Sequence, residues 1–181
     1  PSTHHLAINA FEPWKKIVEQ KTQGRVKVNV HHGGVLGTSQ ATLNDVKGGV
    51  YHVGLIAASY YYDTPLFKLV IGELPFAISS PIVGAKVMTE FADKHAKDVF
   101  DTLNVKNMWI LSTDGYVMFS TKPIRRIEDL KGMKLRAVGK GWVQIAKEWG
   151  AVPTPMKTEE VYTALERGTL DIFQVSPTSG I

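Results

Sequence analysis

Segments with the two-residue period of a β-strand alternate along this chain with segments of helical period. Val26, Val28 and Val30 fall on one face of the segment 25–32, which this pattern predicts to be a strand. Strands are also predicted at 52–59, 105–112, 115–121, 133–139 and 169–176, and helices at 6–23, 39–49, 81–103, 142–151 and 158–168. Such alternation is typical of an α/β protein with mainly parallel sheets and right-handed crossovers.

The alternation changes once, where the strand segment 115–121 follows 105–112 without a crossover helix between them. A proline and several charged residues come next, so we expect a hinge near Ser120 to Lys122. This predicts a first lobe over residues 1–121 and a second over 122–181. The chain is expected to cross back toward the first lobe near 172–178, which leaves a ligand cleft between the lobes.

Composition excludes several classes of function. The 181 residues carry a net charge of +4, and the densest basic stretch, 122–136, is interrupted by Glu128 and Asp129. It is too dilute to predict a nucleic-acid surface. The absence of cysteine excludes disulfides, thiolate metal sites and a cysteine nucleophile. No apolar run approaches the ~20 residues of a membrane span, and no signal peptide is visible before Pro1, as is expected if a leader has been removed.

Arg136 is the strongest candidate for a binding residue. It lies at the end of a predicted strand, just before Gly139, Gly141 and a helix. Ligands of open α/β sheets bind beyond the carboxyl ends of the strands, and a guanidinium offers a planar fork that matches a carboxylate. The alternative is a surface arginine paired with Glu128 or Asp129.

Other residues are candidates because of where the pattern places them. Tyrosine hydroxyls can bind carboxylate oxygens while their rings cover the apolar part of a ligand. For each candidate the competing interpretation is packing in a core or on a loop. The predicted ligand contacts are Ser59, Tyr60 and Tyr61 after a strand, Tyr116 on the hinge strand, Trp142 after the glycine turn, Gln174 on the returning strand and His5 at the first helix.

The sequence supports an enzyme or a metal site less well than a ligand-binding site. The stretch 139–144, "GKGWVQ", is a near miss of the dinucleotide fingerprint, with Gln144 in place of the third glycine. His31 and His32 are adjacent on a predicted strand and point to opposite faces, so they cannot chelate a metal together. No catalytic triad or acid/base pair is evident, and we expect no cofactor. An α/β enzyme that uses the Gly139–Gly141 turn for a nucleotide or phosphate remains the alternative function.

One stretch of motifs resembles a known family. "DLKGMKLR" (129–136), "WGAVP" (149–153) and "EEVYTALERGTLD" (159–171) follow the order found in substrate-binding proteins of tripartite ATP-independent periplasmic (TRAP) transporters, the DctP-like family. The resemblance implies a periplasmic, two-lobed binding protein that is not an enzyme. It also implies that Arg136 clamps the carboxylate of a small organic acid, and that the partner is the TRAP membrane permease. It does not decide between a monomer and a dimer.

The chain departs from the family pattern in three ways. It is shorter than family members, as if truncated at both ends, and uncovered sheet edges are then expected. Asp171 is followed by Ile172 and Phe173 where members often have glycine, and the hinge strand lacks an additional arginine found in some members. The ligand therefore stays open among a C4-dicarboxylate, a keto acid, an aromatic acid and a sugar acid.

Overall fold

The computed structural model describes residues 6–74, 77–156 and 160–176. Helices dominate the first two thirds of this part of the chain, and strands and helices alternate in the last third. The α-helices are α1 (Glu12–Lys21), α2 (Thr42–Lys47), α3 (Pro81–His95), α4 (Lys97–Thr102), α5 (Gly139–Glu148) and α6 (Val161–Glu166). The strands are β1 (Val117–Ser120), β2 (Lys134–Arg136), β3 (Val152–Thr154) and β4 (Ile172–Val175).

The helix boundaries follow local chemistry. A π-helical turn, Ala7–Phe11, precedes α1, and Pro13 lies in the first turn of α1, so the helix predicted over 6–23 changes from π- to α-helical geometry just before this proline. Pro81 likewise begins α3. The long helix predicted over 81–103 is divided at Ala96 into α3 and α4. A 3-10 helix over Pro65–Glu73, capped by the Thr64 side chain, was not predicted.

The four strands form one mixed sheet in the order β1-β4-β2-β3. β2 is parallel to both β3 and β4, with Leu135 beside Pro153 and Ile172, whereas β1 runs antiparallel to β4. Leu135, Ala137, Ala146 and Ile172 are fully buried between this sheet and α5. The α/β class is confirmed, and the β2–α5–β3 unit is the crossover that the sequence predicts.

Three predictions of strands in the first lobe are wrong for the described residues. The segments 25–32, 52–59 and 105–112 have no partner in a ladder. Val53 and Leu55, predicted to be buried, are 43% and 50% exposed. An alternating apolar pattern favours an extended chain, but a strand also needs a neighbour that supplies its hydrogen bonds. The core of this part is instead helical, with Leu66, Ala96 and Val99 buried together.

The predicted division at residues 121 and 122 falls just after β1. β1 is hydrogen-bonded to β4, which lies in the middle of the sheet rather than leaving it. The division into lobes over 1–121 and 122–181 stays a prediction, and residues 177–178 of the predicted crossing lie outside the described part. None of the helices in the described ranges has the length and apolar character needed to cross a bilayer.

Candidate ligand-binding site

The sheet brings several candidate side chains to one edge. Arg136 is the last residue of β2, and the carboxyl end of β4 reaches the same edge because the two strands are parallel. β1 runs the other way, with Val117 beside Val175, so Tyr116 stands just before β1 at this same edge. Arg136, Tyr116 and the end of β4 thus converge where ligands of open α/β sheets bind.

The Arg136 guanidinium reaches across the sheet edge toward β3. Its side chain is partly buried, and its Nε donates a hydrogen bond to the Met156 carbonyl at 3.3 Å. The alternative pairing with Asp129 is not formed, since that carboxylate accepts hydrogen bonds from the backbone of Arg125 and the side chain of Arg126. Arg136 therefore stays at this edge of the sheet, where its Nε bonds to the Met156 carbonyl.

The glycine turn after β2 is packed against the loop that contains the tyrosines. Gly139 has φ +79°, and a Cβ placed on it would lie 2.6 Å from the Ser59 carbonyl oxygen. Gly141 lies against the Tyr62 hydroxyl, which a Cβ on this glycine would overlap. Gly139 thus permits the close approach of two backbones, and Gly141 that of a tyrosine side chain. The Tyr62 hydroxyl thus fills the space beside the turn that a phosphate would need in the alternative enzyme.

A salt bridge between Lys140 and Asp63 also joins the glycine turn to the loop that contains the tyrosines. Lys140 Nζ lies 2.5 and 2.7 Å from the two carboxylate oxygens of Asp63. The side chains of Lys140 and Asp63 are 70% and 79% exposed, so solvent screens their attraction strongly. We call the contacts of Ser59, Tyr62 and Asp63 with the residues 139–141 the clasp.

Negative and positive charges both affect the tyrosines at this edge of the sheet. Burial raises the pKa of Tyr116, the neighbouring Tyr60 hydroxyl and the Glu73 charge raise it further, and the Arg136 charge opposes them. The Tyr116 side chain is 58% exposed, although protein atoms crowd its hydroxyl at longer range. Burial, then the Glu73 charge, also raises the pKa of Tyr62. The pKa of Tyr116 thus depends on the charges of both Glu73 and Arg136, and the pKa of Tyr62 depends on that of Glu73.

Gln174 is a buried amide with an unused acceptor. It is 5% exposed, and its Oε1 has no hydrogen-bond partner within the described ranges. It lies in β4 opposite Met118, on the face that also carries Tyr116 two residues earlier. A buried polar atom without a partner usually marks a place for a ligand or an ordered water. Its position agrees with the predicted role in ligand binding, which stays a prediction.

Two candidate residues are engaged elsewhere. Tyr61 is buried in the core near Leu66, and its hydroxyl donates to the Ser39 carbonyl at 2.6 Å and accepts from the Leu43 amide at 3.2 Å. We leave Tyr61 out of the candidate site because both functions of its hydroxyl are used. Trp142 packs on the core of the sheet with its ring edge toward Trp149. The remaining candidate, His5, lies outside the described residues.

Sequence reasoning missed three residues of this region. None of Tyr62, Asp63 and Glu73 was selected by the sequence analysis. A signal for Tyr62 existed, since it follows the same predicted strand end as Ser59. No local signal pairs Asp63 with Lys140, because 77 residues separate them. In the described ranges no cluster of three or more histidine and acidic side chains could hold a metal ion.

Comparison with known proteins decides the family. The model of the family described as bacterial extracellular solute-binding protein, family 7 (DctP), matches residues 1–177. The chain belongs to this family. A solute-binding protein of Chromohalobacter salexigens is 30% identical over an alignment of 172 residues that covers 90% of this chain and 48% of that protein. The 2,3-diketo-L-gulonate-binding periplasmic protein YiaO of Escherichia coli is 27% identical over 93% of this chain and 51% of its own length.

Solved structures of TRAP periplasmic solute-binding proteins share the fold. A TRAP periplasmic solute-binding protein from Chromohalobacter salexigens with bound D-glucuronate matches with a TM-score of 0.82 and 25% identity, over 96% of this chain and 58% of that one. A second, from Bordetella bronchiseptica with bound mandelate, matches with a TM-score of 0.83 and 24% identity, over 97% and 55%. The fold is that of a periplasmic binding protein. The chain spans about half the length of the curated relatives that it matches.

Proposed function

We propose that this chain is the ligand-capturing part of a periplasmic receptor that delivers a small organic carboxylate to a TRAP membrane permease. The position of Arg136 carries the proposal. It lies at the carboxyl edge of the sheet beside Tyr116, in a chain of the solute-binding family. The relatives support the ligand class, since one is named for 2,3-diketo-L-gulonate and another holds D-glucuronate.

In this proposal Arg136 binds the ligand carboxylate through two parallel charged hydrogen bonds. Tyr116 and Tyr60 flank it, and the amide of Gln174 offers an acceptor to a ligand hydroxyl. The protein acts as a receptor and not as an enzyme, because binding and hinge closure are what the permease requires of it. Contacts from both sides of the cleft favour the closed form that the permease recognises.

Titration calorimetry on the full chain tests the proposal. Succinate, pyruvate, benzoate and D-glucuronate represent the four acid classes, with ATP and NAD as the opposing panel. Arg136→Ala should weaken binding of the acid that binds by about 30- to 1000-fold, since roughly 2–4 kcal/mol of charged hydrogen bonding is lost. Arg136→Lys should restore part of this, because an ammonium cannot form both bonds.

Arg25→Ala is the matched control. Its Nε also donates to a backbone carbonyl, that of Thr22 at 3.2 Å, on an exposed part of the predicted first lobe. It should leave both affinity and melting temperature unchanged. Binding of Arg136→Ala within twofold of the parent, or loss of binding accompanied by unfolding, contradicts the proposal. Binding of ATP or NAD in place of the acids would favour the enzyme alternative.

A further inference from the structure

Glu73 places a second charge beside the candidate site. It ends the 3-10 helix Pro65–Glu73, and its Oε1 accepts a hydrogen bond from the Ser59 backbone amide at 3.2 Å. The residue is exposed, and no cation of the described ranges forms an ion pair with it. One carboxylate oxygen is thus used by the protein, and the other can accept a further hydrogen bond.

Backbone contacts of Ser59 link the Glu73 carboxylate to the edge of the sheet that carries Arg136. Glu73 holds the peptide of Ser59, and the carbonyl of the same residue abuts Gly139, three residues after Arg136. Glu73 therefore stands on the first-lobe side of the site, and Arg136 stands on the sheet side.

The tyrosine between them responds to both charges. The pKa of Tyr116 is raised by burial, then by Tyr60 and by the negative charge of Glu73, and it is lowered by the positive charge of Arg136. The Glu73 charge also raises the pKa of Tyr62, after burial. A ligand that bonds to Arg136 next to Tyr116 thus extends into the field of Glu73.

We propose that Glu73 makes this site selective for hydroxylated monocarboxylates over dicarboxylates. The inference rests on the proposed function. One carboxylate of the ligand binds to Arg136, and a hydroxyl further along the ligand donates a hydrogen bond to Glu73. A second carboxylate at the same place has no proton to donate at neutral pH and faces a like charge, which is unfavourable in a partly desolvated site.

Two pairs of acids isolate this effect. 4-Hydroxybutyrate and succinate differ only in a terminal hydroxymethyl or carboxylate group, and D-gluconate and D-glucarate differ in the same way on a longer polyhydroxylated chain. Titration calorimetry on the full chain should give at least one pair in which the hydroxyl member binds about tenfold or more tightly than its partner. Glu73→Gln should reduce that ratio to below about threefold, chiefly through tighter binding of the dicarboxylate.

Glu90→Gln is the matched control, because Glu90 is an exposed glutamate of α3 paired with Lys94. It should leave the ratio unchanged. Equal or tighter binding of the dicarboxylates by the parent, an unchanged ratio in Glu73→Gln, or failure of the folded parent to bind any of the four acids overturns the inference. The effect of Arg136→Ala on the four-class panel tests the proposed function separately, so the two can fail independently.

Discussion

Substitution of Gly139 by alanine tests the clasp that joins the glycine turn to the tyrosine loop. Gly139 has φ +79°, where an L-residue is disfavoured by roughly 1–2 kcal/mol. The new Cβ would also lie 2.6 Å from the Ser59 carbonyl oxygen. That atom belongs to the backbone, so no side-chain rotation relieves the overlap, and overpacking of this kind costs about 1–3 kcal/mol. The expected destabilisation is about 2–5 kcal/mol.

Gly168→Ala separates the two contributions. Gly168 has φ +65°, and a Cβ there would meet nothing within 4 Å. Gly168→Ala should lower the free energy of unfolding only by the cost of the left-handed backbone conformation, roughly 1–2 kcal/mol. With a urea m-value of about 2 kcal/mol/M, the overlap at Gly139 should lower the unfolding midpoint by a further 0.5–1.5 M or so relative to Gly168→Ala.

The measurement is urea unfolding followed by tryptophan fluorescence and far-UV circular dichroism on the parent and both variants. Coincident transitions by the two probes justify a comparison of free energies. If Gly139→Ala and Gly168→Ala lower the midpoint equally, the close approach of Ser59 and Gly139 is not part of the folded state in solution.

Two electrostatic predictions concern exposed pairs. A double-mutant cycle of Asp63→Asn and Lys140→Met should give a coupling energy of about 0.2–1 kcal/mol at low salt, because both side chains are mostly exposed. The coupling should vanish in 1 M NaCl, and a coupling that persists in salt would contradict this. The pKa of Asp129 is lowered from 3.8, first by the Arg125 backbone amide and then by Arg126. The ionised Asp129 carboxylate therefore stabilises the folded state above pH 4, and this stabilisation is lost as the pH falls through the lower folded-state pKa. The difference in unfolding free energy between the parent and Asp129→Asn should therefore be constant from pH 7 to 5 and shrink below pH 4 in urea titrations; a difference independent of pH to 2.5 would refute the assignment.

The sequence alone was sufficient where structure is local. A strand was predicted over 133–139 and a helix over 142–151, and the structure has β2 at Lys134–Arg136 and α5 at Gly139–Glu148, so both elements were predicted with bounds shifted by a few residues. Alternation of Lys134, Leu135 and Arg136 decides which side chains face the core, and the glycines after them fix the turn. The family could be recognised for the same reason, since its motifs are contiguous.

Tertiary structure decided the rest. The first-lobe strand predictions failed because a ladder depends on a partner strand that a local pattern does not contain. The candidate site depends on contacts between distant residues: Asp63 pairs with Lys140 across 77 positions, and Ser59 contacts both Glu73 and Gly139. The sequence selects Gln174 by its place on the returning strand, but only the structure shows that it is buried and that its Oε1 has no partner within the described residues. Chain packing, which sets these distances and burials, is a property of the whole fold.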